Sequence, residues 1–155
     1  MTTASVDHCV DRLNSLLRGE ISAVETFSQA IEKVGDGHAS DATALRAIAQ
    51  EHGENAQSLR EAIWELGGDA NDFSGPWGAW AKTVAGVAML FGDATALKAL
   101  KEGEEHGLKD YEEAVDDVDE ASRALFRTRL IPSQQRHIAT LDGMIRKVEA
   151  ESGLH

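Results

Sequence analysis

Four segments of this chain carry an apolar stripe at alternating steps of three and four residues, and each stripe is broken once by polar side chains. In the first, Val6, Val10, Leu13, Leu17, Glu20, Val24, Phe27, Ile31 and Val34 share one helical face, with a single carboxylate in the middle. The second runs Leu45, Ile48, His52, Asn55, Leu59, Ala62, Leu66. The third runs Leu97, Leu100, Glu104, Gly107, Tyr111, Ala114, Val118. The fourth runs Leu130, Gln134, His137, Leu141, Met144, Val148. A stripe of this kind must be buried against other helices. A buried carboxylate is costly unless something neutralises it, so the content of the polar interruptions is the functional question.

The spacing predicts helices over approximately 5–34, 41–66, 94–118 and 121–151 in one domain spanning residues 1–155. Ser5 and Asp93 are the expected N-caps, and glycine-rich breaks follow Val34 and Leu66. Pro132 either kinks the last helix or sits in the first turn of its main part. The joins between the first two and the last two helices are short, whereas the connection over 67–93 is long. Short, long, short describes a four-helix bundle with one crossover, the ferritin-like all-α arrangement. Within the crossover, Trp77, Trp80, Val84, Val87 and Phe91 recur at helical spacing around a single charge, Lys82. This reads as a short extra helix packed on the bundle, or as a homo-oligomer contact anchored by Trp77 and Trp80.

Counting from the hairpin turns puts the interruptions at one height. From a first turn near residue 38, Glu20 lies 18 positions before, and His52 and Asn55 lie 14 and 17 after. From a second turn near residue 120, Glu104 lies 16 before, and Gln134 and His137 lie 14 and 17 after. At about 1.5 Å per residue these agree to within about one turn. The sequence therefore predicts one mid-bundle layer of Glu20, His52, Asn55, Glu104, Gln134 and His137. Gly19, Gly53, Gly103 and Gly107 fall beside it, each costing about 1 kcal/mol against alanine in a helix. They imply close helix approach or a small cavity at that level.

A glutamate on one helix followed by a polar i,i+3 pair on the next, twice over, resembles the di-iron carboxylate bundles. Those supply two lone glutamates and two Glu-x-x-His pairs. Here the pairs are His52-x-x-Asn55 and Gln134-x-x-His137, so two bridging carboxylates are missing. Glu51, Glu54, Glu105 and His106 flank the layer but point about 100° from the seam. The resemblance thus implies a mononuclear or weak site for a divalent metal, iron or zinc, at the six layer residues. Two other readings remain open. The layer could be a metal-free hydrogen-bonded network in which each histidine carries charge for one glutamate, with Lys101 reaching Glu104. It could also hold an organic or anionic ligand.

The stretch ALKEGEEHGLKDYEEA over 99–114, preceded by the tryptophan-rich crossover, is similar to small bacterial ferritin-like proteins known mainly as a domain of unknown function, sometimes associated with stress. The likeness covers roughly residues 5–150. It implies a role in metal handling or stress response, and, if the chain is an enzyme, a metal-dependent oxidase or peroxide-detoxifying activity. The alternative is a non-enzymatic structural or interaction protein with a vestigial polar core.

Net charge −12 opposes nucleic acid and anionic membranes as partners. No apolar run is long enough to span a bilayer, and Met1 is followed by polar residues rather than a signal-like run. The expectation is a cytoplasmic, soluble chain. The single Cys9 permits no intrachain disulfide and is read as incidental, while His8, His38 and His155 form no ligand pair. Phosphate loops, Ser-His-Asp motifs and CxxC pairs do not occur. The acidic run from Glu112 to Glu120 reads as a solvated face.

Overall fold

The computed structural model describes residues 3–34, 39–73 and 93–153. Helix α1 spans Thr3–Val34 and α2 spans Ala39–Glu65. Helix α3 spans Asp93–Ala114. The fourth long rod is composite: α4 over Glu120–Leu125, a π turn over Phe126–Leu130, and α5 over Ile131–Gly153. No strand occurs among the described residues. The expected crossover helix and the Trp77/Trp80 contact surface fall within residues 74–92 and lie outside the described residues.

The apolar stripes assemble into two cores. One joins Leu13 and Leu17 of α1, Leu59 and Ile63 of α2, Tyr111 of α3, and Phe126 and Leu130 of the π turn. The other joins Phe27 of α1, Leu45 and Ile48 of α2, Leu97 and Leu100 of α3, and Leu141 and Met144 of α5. The start of α1 therefore lies with the end of α2, the end of α3 and the start of the fourth rod. That is an up-down-down-up bundle, which needs a long link between α2 and α3. Between the two cores, buried and level with one another, lie Glu20, His52, Asn55, Glu104, Gln134 and His137.

Several local expectations are corrected. Ser5 lies inside α1, which begins two residues earlier, so it is not the N-cap. Helix α3 stops at Ala114 rather than near 118. Acidic residues at a helix C-terminus oppose its macrodipole. The chain instead turns through Asp117, whose N–H donates to the Ala114 carbonyl at 2.9 Å. Asp119 then caps α4 by accepting from the Ser122 N–H at 3.2 Å.

The π turn explains the fourth rod. Phe126, Leu130 and Gln134 are all buried and follow each other by four residues. In an unbroken α-helix each four-residue step drifts about 40° off the seam. The π turn takes more residues per turn and removes that drift, closing with the Ile131 N–H on the Phe126 carbonyl. Pro132 then occupies the first turn of α5 directly after the π turn, so its missing N–H falls where the ladder changes spacing.

Helix α2 ends in a Schellman turn. Gly67 takes φ +79°, a left-handed conformation suited to glycine. Gly68 N–H donates to the Ile63 carbonyl at 3.0 Å, and Gly67 N–H to that of Trp64 at 2.9 Å. Buried Asn14 of α1 then holds the following loop, donating to the Asp69 carbonyl at 2.9 Å and accepting from the Asn71 N–H at 2.8 Å.

Candidate metal centre

His52 is the hub of the polar layer. Its Nδ1 lies 2.5 Å from Glu20 Oε2 and its Nε2 lies 2.5 Å from Glu104 Oε1. Both partners are carboxylates, so both ring nitrogens donate and the ring is an imidazolium. Burial alone would depress its pKa, but the two carboxylates overcome this and raise it to about 10. Burial likewise opposes the charge on Glu104, yet His52 holds its carboxyl below the usual range. The other oxygen of Glu20 accepts from the Tyr111 hydroxyl at 2.5 Å. Burial, and then the adjacent Glu20, keeps that phenol protonated far above its ordinary pKa.

A second group surrounds His137. Its Nδ1 faces Glu104 Oε2 at 3.4 Å, and its Nε2 stands 3.4 Å from Glu51 Oε1. Glu51 also accepts from the Ser133 hydroxyl and from Arg136 at 2.7 Å. Burial raises its pKa, but these two donors and His137 bring it below the ordinary value. Asn55 donates to Ser133 Oγ at 3.0 Å. Gln134 donates to the backbone carbonyl of Glu104 at 3.0 Å.

All six expected layer residues are brought together, but in unequal positions. Glu20, His52 and Glu104 form one buried charged triad. Asn55 is turned to Ser133, and Gln134 to the backbone of α3. Lys101 does not reach Glu104, because it pairs with Asp142 of α5 at 3.0 Å. The expected one-histidine-per-glutamate pairing is also replaced, since His52 serves two glutamates at once.

Three further participants were not among the expected site residues. Tyr111 looked like an apolar stripe residue. Ser133 precedes the Gln-x-x-His pair by one position, and Glu51 was placed off the seam. Glu51 contributes because its side chain is long enough to cross to α5. The i,i+4 spacing of Ser133 and His137 was the available signal for the second of these.

Three buried polar atoms of this layer make no hydrogen bond: Glu104 Oε2, His137 Nδ1 and Gln134 Oε1. Glu104 Oε2 and His137 Nδ1 face each other at 3.4 Å without hydrogen-bond geometry, and a buried atom such as Gln134 Oε1 costs on the order of 1–3 kcal/mol when left unsatisfied. His52, Glu104 and His137 offer ligand atoms that all lie within 4.8 Å of one another. Two imidazoles and a carboxylate suit iron(II) or zinc. A bridged pair of metals is a poorer match, because α2 and α5 provide Asn55 and Gln134 where bridging carboxylates would be required.

The imidazolium makes stability pH-dependent. In the unfolded chain His52 titrates near its ordinary value of about 6.5, and in the fold near about 10. Its contribution is complete below the lower value and is lost as pH rises through the upper one. The Tm of metal-free protein should therefore fall between pH 7 and 10, as scanning calorimetry can follow. A His52→Gln variant should lose most of that slope.

Fold and layer together define the class: a ferritin-like helical bundle with a polar layer between two apolar cores. The chain belongs to the family described as a domain of unknown function, DUF2383, whose profile matches residues 8–117. It is also similar in structure to a ferritin-like, diiron-carboxylate protein from Bacillus anthracis str. Ames. The TM-score is 0.74 and the identity 19%, over 94% of this chain and 99% of that one. At that identity the likeness speaks for the fold alone. No functionally curated protein matches the chain. No described helix is long and apolar enough to cross a membrane.

Proposed function

We propose that this bundle binds one divalent metal ion, iron or zinc, through His52, Glu104 and His137. Glu20 and Gln134 are the nearest supporting groups, and Asn55 acts at one remove by orienting Ser133. The observation that carries the reading is the set of unsatisfied atoms on Glu104, His137 and Gln134 beside a compact His-Glu-His cluster. A bound ion would supply Lewis acidity, and redox capacity if it is iron. The chain's own residues hold the charge: Tyr111 and His52 steady Glu20, while the Glu51–Ser133–Arg136 group steadies His137. Because a metal ligand must be neutral imidazole, loading would release the His52 proton. A role in metal handling or stress response follows, with the cytoplasm as compartment and Trp77/Trp80 as the surface for self-association.

A second reading has its own support. His52 is already neutralised by two carboxylates at 2.5 Å, so the triad could serve only to fix helix register. Thermal unfolding with added Zn²⁺, or with Fe²⁺ under anaerobic conditions, separates the two. At one hundred times Kd a bound ion adds about 2.7 kcal/mol, or a Tm gain on the order of 5–10 °C. No gain from Zn²⁺, Fe²⁺ or Mn²⁺ would leave the structural reading standing.

A further inference from the structure

The polar layer has two flanks, and they differ in kind. On the side of α2 and α5, Glu51 is held by Ser133 and Arg136, with His137 behind it. The exposed guanidinium of Arg136 stands outermost there. That flank is closed by hydrogen bonds and by the Arg136–Glu51 ion pair.

The flank between α1 and α3 is open. A cleft of about 50 Å³ runs there from the exposed Ser15 and the half-buried Asp110 to Glu20, His52, Glu104 and Gln134. Its walls are kept back by small residues, Gly19, Ala23, Gly103 and Gly107. At Gly107 even a Cβ would come within 2.6 Å of Gln134 Nε2. Small residues alone would signify little. Glu104 and Gln134 both line the cleft, both are buried, and each carries an oxygen that makes no hydrogen bond.

We propose that this cleft is the portal through which a partly dehydrated divalent cation reaches His52 and Glu104; the proposal rests on the metal-binding reading above. Charge and size both favour it. Asp110, Glu20 and Glu104 line the passage, and no lysine or arginine does. The three carboxylates outnumber the one cation in the lining, the His52 imidazolium, and a low-dielectric cleft of net negative charge concentrates cations. Its volume admits only a few waters, so the ion must shed most of its hydration shell on the way in. Magnesium dehydrates reluctantly and is selected against at this step, whereas zinc, iron(II) and cobalt(II) pass.

Stopped-flow loading of Co²⁺, with release measured by excess chelator, tests the route. Ala23→Leu and Gly103→Leu narrow the cleft without touching a ligand. Each should slow loading and release together by about tenfold while leaving Kd within about twofold. Asp110→Asn, which adds no bulk, should slow loading by about threefold and flatten its salt dependence. Glu61→Gln removes an exposed α2 carboxylate that does not line the cleft and should leave the loading rate unchanged. Unaltered rates in all three cleft variants, or an equal slowing in Glu61→Gln, would overturn the portal while leaving the metal site intact. If wild-type protein takes up no Co²⁺ at equilibrium, the site and its portal fall together.

Discussion

Replacing Glu104 with Ala should abolish metal binding and destabilise the metal-free bundle by about 3–5 kcal/mol. Glu104 is 2% exposed and faces both histidines, His52 at 2.5 Å and His137 at 3.4 Å. Its loss removes the carboxylate of the ligand cluster. It also leaves the His52 imidazolium buried with Glu20 as its one remaining carboxylate partner. The His52 Nε2–H is then stranded without its acceptor, and breaking a buried ion-pair network by removing one partner is among the larger single-site penalties. Urea unfolding at pH 7 measures it as a lower midpoint at unchanged slope. Glu104→Gln keeps the shape and a hydrogen-bond acceptor, so it should recover part of the stability and little of the metal affinity. A loss below about 1 kcal/mol in Glu104→Ala would mean that water replaces the carboxylate freely.

The complementary substitution removes the whole triad. Glu20→Leu, His52→Leu, Glu104→Met and Tyr111→Phe, made together, exchange a buried charged network for apolar groups of similar bulk. The quadruple variant should be at least as stable as the metal-free parent, with a gain of about 1–4 kcal/mol where such replacements pack well. Tyr111 is included because its hydroxyl donates to Glu20 and would otherwise be stranded. The contrast with Glu104→Ala is the informative part. A strongly destabilising single change beside a harmless complete one marks a layer retained for what it binds. If the quadruple variant instead loses cooperative unfolding or changes oligomeric state, the triad specifies helix register, and the structural reading gains.

The bundle was legible because its four stripes keep the helical repeat across a common interruption. Counting outward from two hairpin turns was enough to level Glu20, His52, Glu104 and His137, since helical rise is nearly constant. The π turn was not legible from pattern alone. Phe126, Leu130 and Gln134 simply read as apolar and polar seam positions, and the drift between them is absorbed by one local hydrogen-bond shift. The end of α3 was misplaced because Val118 continues the apolar stripe. It is buried, but from a turn rather than from a helix. Side-chain reach defeated the angular argument at Glu51, whose backbone points off the seam while its carboxylate lands beside His137. Tyr111 was counted for its ring, which packs on Phe126 with centroids 5.2 Å apart. Its hydroxyl, the part that meets Glu20, carried no signature in the periodicity.

The proposed site holds one metal ion through His52, Glu104 and His137. Metal content per chain tests it most directly, on protein prepared without a histidine tag and equilibrated with Zn²⁺, or anaerobically with Fe²⁺. The prediction is about one ion per chain in the wild type and less than about a tenth in the His52→Ala, Glu104→Ala double variant. A wild-type protein without stoichiometric metal, or a double variant that retains it, would show that these side chains do not hold the ion.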